Sequence, residues 1–155
     1  MMIALQIISG WLYGHFAEYF IHKNILHNNK RFKKMFKRHF GKHHRISRQN
    51  EMYDKNYQRI LHGDSLFELG GLLLLLLVHL PIVYIAPYFW FTLLFTGLSY
   101  YILHRTSHIY VAWGKKWLPW HYEHHMGKNQ HKNWGVRLPI IDWLFSRKFS
   151  LIKDN

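Results

Sequence analysis

LFELGGLLLLLLVHLPIVYIAPYFWFTLLFTGLSYYILH, residues 66–104, decides how this chain folds. It is apolar for almost two bilayer crossings, because one helical span needs about 20 apolar residues. Pro81 and Pro87, with Ala86 between them, suit a tight turn joining two helices. The segment therefore reads as a helical hairpin, which returns the chain to the side it left. Whatever precedes and follows it shares one compartment.

The charges are arranged to match. Lys and Arg outnumber Asp and Glu by 21 to 8, yet residues 1–22 and 60–104 hold no Lys or Arg. All of them fall between Lys23 and Arg59 or between Arg105 and Lys153. A nucleic-acid module spreads its positive charge over a soluble face, so no nucleic-acid partner is expected. Charge segregated by span marks a membrane protein, and the positive-inside bias puts both basic blocks in the cytosol. Residues 1–21 supply another span. They lack the basic start and small-residue cleavage site of a signal peptide. The expected fold is all-α, a single domain over residues 1–155. It is an integral membrane helical bundle of three to four transmembrane helices under a cytosolic, histidine-rich helical cap.

Histidine dominates that cap. His22 and His27, His39 with His43 and His44, His104 and His108, and His121 with His124 and His125 form four clusters on the expected cytosolic side. Steps of three and four residues put side chains on one helical face. His22 and His27 are five apart, about 140° around a regular helix. Asn24, Asn28 and Asn29 would let the helix end and turn the second imidazole back. In the second cluster His39 and His43 align and His44 stands one step round. His15, His62 and His79 have no companions and read as packed or hydrogen-bonded residues. Glu18, four residues before His22, is either an interfacial carboxylate or one that orients a metal-bound imidazole.

The chain has no cysteine, so any metal is held by nitrogen and oxygen. Ten imidazoles exceed the capacity of one ion, which makes a two-metal site the economical reading. Imidazole suits iron, zinc, copper and nickel, and a structural two-zinc site stays open. A metal pair beneath apolar helices faces a lipid chain: redox iron with O₂ would attack an unactivated C–H bond, and zinc would activate water. There is no serine or cysteine nucleophile motif and no glycine-rich phosphate loop. Gly114, Lys115, Lys116 and Pro119 mark a loop. The amphipathic tail NWGVRLPIIDWLF, residues 133–145, is expected to lie along the headgroups and roof the site.

In their order, H-x4-H at His22, the His39–His44 cluster, H-x3-H at His104, H-x2-H-H at His121 and the Asn133-Trp134-Gly135-Val136 tail, these motifs resemble the fatty acid hydroxylase superfamily. That superfamily includes sterol desaturases and carotenoid hydroxylases. The resemblance implies a membrane oxygenase with two iron ions, zinc being possible in isolated protein, and O₂ as co-substrate. It makes the ten clustered histidines the metal ligands and leaves His131 outside. It implies hydroxylation of a lipid such as an acyl chain, sterol or carotenoid. The alternatives are a lipid desaturase and a metal-binding membrane protein without oxygenase activity. No cytochrome domain is fused, so electrons are expected from a separate ferredoxin- or cytochrome b5-type protein. The membrane would be the cytoplasmic membrane of a bacterium or the endoplasmic reticulum, with the site facing the cytosol. Two departures stand out: an extra residue after His39, which Gly41 could absorb as a bulge, and Phe145-Ser146-Arg147 in place of the usual Phe-Gly-Thr.

Overall fold

The computed structural model describes residues 1–145, and those residues are all-α. Ser146 and Arg147 of the divergent ending, and the basic residues after them, lie outside the described residues. Helix α1 (Met2–Ile21) runs directly into a π-helical turn, His22–Leu26. After α2 (Lys33–Arg38) a second π turn, His39–His44, continues into α3 (Arg45–Gln49). The hairpin follows as α4 (Gly63–Val78), a 3-10 turn (Leu80–Tyr84) and α5 (Pro87–Ile109). Pro81 sits in the turn and Pro87 opens α5, where its missing N–H costs nothing. Three short helices complete the cap: α6 (Val111–Trp117), α7 (Pro119–Met126) and α8 (Ile140–Phe145).

Helix α5 is the spine, with α1 and α4 packed on it. Gly10 and Gly14, one helical turn apart, let α1 approach closely. A Cβ on Gly10 would lie 2.7 Å from the Phe89 carbonyl oxygen. Gly97 on α5 likewise receives the Leu72 side chain from α4. Leu72, Leu76, Leu93 and Tyr101 form the buried core between α4 and α5. Two polar ties hold it in register: the Ser65 and Tyr101 hydroxyls, 2.6 Å apart, and the Trp90 indole N–H donating to the Leu76 carbonyl at 3.2 Å. At the other end Tyr19 on α1 packs on Trp134 and Ile141, so the tail folds back over α1.

One expectation needs correction. Gly114, Lys115 and Lys116 do not form a loop but lie in α6, and the break comes at Leu118, before Pro119 opens α7. Gly114 is there because α6 crosses the end of α5 closely: a Cβ would lie 2.9 Å from the Ser107 backbone. No helix among the described residues is long and apolar enough to cross a membrane. Helix α4 has 16 residues, α1 is interrupted by Gln6, Ser9, His15 and Glu18, and α5 ends in a polar histidine-bearing segment.

Gly10→Val tests the close α1–α5 crossing. Forcing a branched side chain against a backbone carbonyl is expected to cost about 1–3 kcal/mol, read as a lower melting temperature. Gly70→Ala, where added atoms meet nothing within 4 Å, is expected to be neutral or slightly stabilising.

Candidate metal centre

The four histidine clusters converge on one site. His22, His27, His39, His44 and His124 form one group, and His43, His104, His108 and His125 a second, with donor atoms within 4.8 Å of one another in each. His121 lies against the second group, its Nε2 3.3 Å from that of His108 and its ring 4.7 Å from His125. All ten candidate ligands are thus brought together, and the two groups touch: the His44 and His125 rings stack at 4.1 Å.

Local backbone geometry explains how. A π turn closes i→i+5 hydrogen bonds. The His27 N–H donates to the His22 carbonyl at 3.1 Å, so a five-residue step brings both imidazoles into the first group. The chain widens at this point instead of ending its helix and turning back. The second π turn does the same for His39 and His44, whose Nε2 atoms are 3.2 Å apart. The extra residue beside Gly41 is absorbed there. This also corrects the pairing, because His44 joins His39 and His43 faces the other group. Consecutive residues point about 100° apart on a helix. Each His-His dipeptide, 43–44 and 124–125, therefore serves both groups.

The outer ring nitrogens are held by acceptors. Nδ1–H of His22 donates to the Trp134 carbonyl at 2.7 Å, that of His108 to Met52 at 2.8 Å, and that of His124 to Lys132 at 2.6 Å. Asp54 accepts from His43 at 3.0 Å, Gln130 from His44 at 2.9 Å, and Glu68 from His104 at 2.8 Å. Carbonyls and carboxylates cannot donate, so these six rings carry the proton on Nδ1 and point an Nε2 lone pair inward. Met52 holds φ +82° and Asn133 φ +58°, a strained backbone that the surrounding packing maintains beside the site.

That arrangement fits metal. The Nε2 atoms of His43, His104 and His124, and both ring nitrogens of His125, are buried with no hydrogen-bond partner. Each would cost about 1–3 kcal/mol if left so. The Nε2 atoms of His22 and His39, 2.9 Å apart, and of His27 and His44, 3.2 Å apart, are spaced as ligands of a shared ion would be. Nitrogens about 2.1 Å from one ion stand about 3 Å apart when adjacent, which matches these separations.

Glu18 does not touch an imidazole. Its carboxylate accepts from the Val136 N–H, from the Arg137 N–H at 3.1 Å and from Arg137 Nε at 2.7 Å. It acts on the site only through the tail, whose Trp134 carbonyl holds His22 and whose indole packs edge-on against His22, His27 and His124. The carboxylates that do orient imidazoles are Asp54 and Glu68. Glu68 carried a legible signal, a lone carboxylate in the apolar hairpin; Asp54 had none. His79 bonds Tyr13 and the Leu75 carbonyl, His15 packs on Trp11, and His62 is exposed. His131 is exposed and stacks on Phe40, beside the first group but not in it.

Burial holds these imidazoles neutral. It pushes His22 down to about 3 and His39, His43, His44, His108, His121, His124 and His125 well below the ordinary value, helped by neighbouring imidazoles. In the unfolded chain the same groups take up protons near 6.5. Below that pH the unfolded state binds more protons, so stability present above it is lost as the pH falls towards the folded values. Thermal melts of metal-free protein should show a melting temperature that is level above neutrality and drops steadily with acid. An unchanged melting temperature down to pH about 4 would contradict a cluster of buried neutral imidazoles.

The family model described as Fatty acid hydroxylase matches residues 7–147, which takes in both π turns, the hairpin and every clustered histidine. No curated protein and no solved structure matches the chain. The chain belongs to the fatty acid hydroxylase family.

Proposed function

We propose that this protein is a membrane-bound, O₂-dependent oxidoreductase that hydroxylates a lipid hydrocarbon at a di-iron site held by the ten clustered histidines. One observation carries the reading: the histidine groups form a wall of an apolar cavity of about 410 Å³. His22, His39, His43 and His104 face the same space as Leu72 and Leu93. That volume is in the range of small-molecule sites, and most of its exposed lining is apolar, with the charged side chains of Arg38, Asp64, Glu68 and Arg137 at the histidine end. Two bound iron ions would supply, with O₂ and electrons from a separate ferredoxin- or cytochrome b5-type carrier, the oxidation of an unactivated C–H bond. The chain's own residues position the donor set. Asp54, Glu68 and Gln130 lock three ring orientations, the tail carbonyls lock others, and the leucine lining keeps water from the reacting carbon.

The surface supports a bilayer setting with the histidine end at the cytosolic face. Ile8, Leu12, Phe16 and Phe20 form one exposed stripe on α1, and Phe91, Phe95, Leu98 and Ile102 another on α5. Contiguous apolar faces of this kind are rare on soluble monomers. In this reading α1 and the α4–α5 hairpin are embedded together, with basic residues of the 23–59 segment at the headgroups.

Protein purified in mild detergent is expected to carry about two irons per chain, matching the two ligand groups, and cells making it to gain a hydroxylated lipid. Stoichiometric zinc with an unchanged lipid profile would overturn the proposal. His108→Ala and His124→Ala should each lower bound metal and abolish turnover, whereas His79→Ala should leave metal content unchanged; equal metal in all three would sink the ligand assignment. Asp54→Asn and Glu68→Gln should weaken metal binding about 10–100-fold with the fold intact, the usual effect of losing a ligand's hydrogen-bond partner. Competition with a chelator reads this directly.

A further inference from the structure

The cavity has a second property that the metal does not explain: it opens sideways. Helices α1 and α4 both pack on α5 but scarcely on each other, and the space between them is the cavity. Gly14 and Ala17 on α1 face Gly71 and Leu75 on α4, with Leu93 and Thr96 of α5 as the floor. The Thr96 hydroxyl donates to the Leu93 carbonyl at 2.9 Å, which leaves the floor apolar. From the histidine wall the cleft extends about 12 Å along α1, from His22 to Gly14, and about 16 Å along α5, from His104 to Leu93.

Its mouth is identified by residues that line the cavity and are exposed as well. Phe67 is 41% and Leu74 63% exposed, and both line the cavity with Gly71 on the same helix. Gly71 is itself exposed, and a side chain built on it meets no atom within 4 Å. The helix therefore does not need glycine there for packing or for φ, and glycine costs helix stability relative to alanine. What its missing side chain does provide is width at the opening. Beyond the mouth, Leu73, Leu77 and Val78 continue the apolar exposed surface of α4.

We propose that the α1–α4 cleft is a lateral entrance through which one hydrocarbon chain of a bilayer lipid slides to the histidine wall, and that Gly71 determines which chains pass. The proposal rests on the oxidoreductase reading for its purpose, but on the cleft alone for its geometry. The occupant arrives from the bilayer, because the mouth is framed by Phe67 and Leu74 and opens onto the leucine face of α4. Gly71 is thus a specificity-determining position.

Gly70 supplies a matched control. It is the adjacent residue, a side chain there also meets nothing within 4 Å, and it does not line the cavity. The full chain, as wild type, Gly71→Phe, Gly71→Leu and Gly70→Phe, is placed in phosphatidylcholine nanodiscs containing a diazirine-tagged palmitic acid, then irradiated and mapped by mass spectrometry. Wild type and Gly70→Phe are expected to carry label on residues 14–21 and 67–75. Gly71→Phe should lose most of it and Gly71→Leu part of it, with melting temperature and metal content as in wild type. Wild-type labelling in Gly71→Phe, or equal loss in Gly70→Phe, overturns the entrance. Iron and oxidised lipid are measured on the same samples. Label that follows the predicted order without iron or product upholds the entrance and removes the oxidoreductase reading. Iron and product with labelling indifferent to Gly71 do the reverse.

Discussion

Everything in this structure depends on packing ten imidazoles into one site, with the lone pairs of the six whose Nδ1 is held from outside turned inward. Such a cluster opposes itself, because desolvation forbids protonation and the inward nitrogens have no donors to accept from. The protein meets that constraint from outside. Acceptors on the 51–57 turn, on α4 and on the 130–134 loop each take an Nδ1 proton and so set which nitrogen faces the centre. The fold is arranged to deliver those acceptors, and several come from segments with little regular structure of their own.

Two turns of π-helix carry much of this arrangement. A regular helix would send His22 and His27 to different sides, and His39 and His44 likewise. One residue of extra winding puts each pair in one group while leaving His43 free for the other. The π winding that absorbs the insertion therefore sets His39 beside His44, while the His43–His44 dipeptide serves both groups as 124–125 does. Arg38 and Lys42 anchor the same π turn to Asp64 at the start of α4, at 3.0 and 2.9 Å, which ties the ligand-bearing segment to the hairpin.

The hairpin and α1 contribute a spine with two arms. Because the small residues Gly10, Gly14 and Gly97 draw α1 and α4 onto α5 and not onto each other, the arms leave a cleft that ends at the histidine wall. Core packing and the cleft are thus consequences of one set of close contacts. The buried Glu18–Arg137 pair closes the other side by holding the tail over the site, so Trp134 can cover the imidazoles while its carbonyl holds His22.

Spacing and composition by themselves determined the helical hairpin and its turn, the grouping of histidines at one end, and His79 as a hydrogen-bonded residue apart from them. These follow from local rules: apolar run length, proline's fixed φ and the angular step of a helix. Which imidazole joins which group was decided only by tertiary structure. The π winding of His22–His27 and His39–His44 is maintained by contacts from distant segments, which no local periodicity reports. The partners of the imidazoles were settled the same way. Glu18 looked close to His22 along the chain, yet Arg137, more than a hundred residues later, takes its carboxylate. Asp54 and Glu68 reach His43 and His104 because folding brings their helices and turns together, a proximity in space that linear order does not encode.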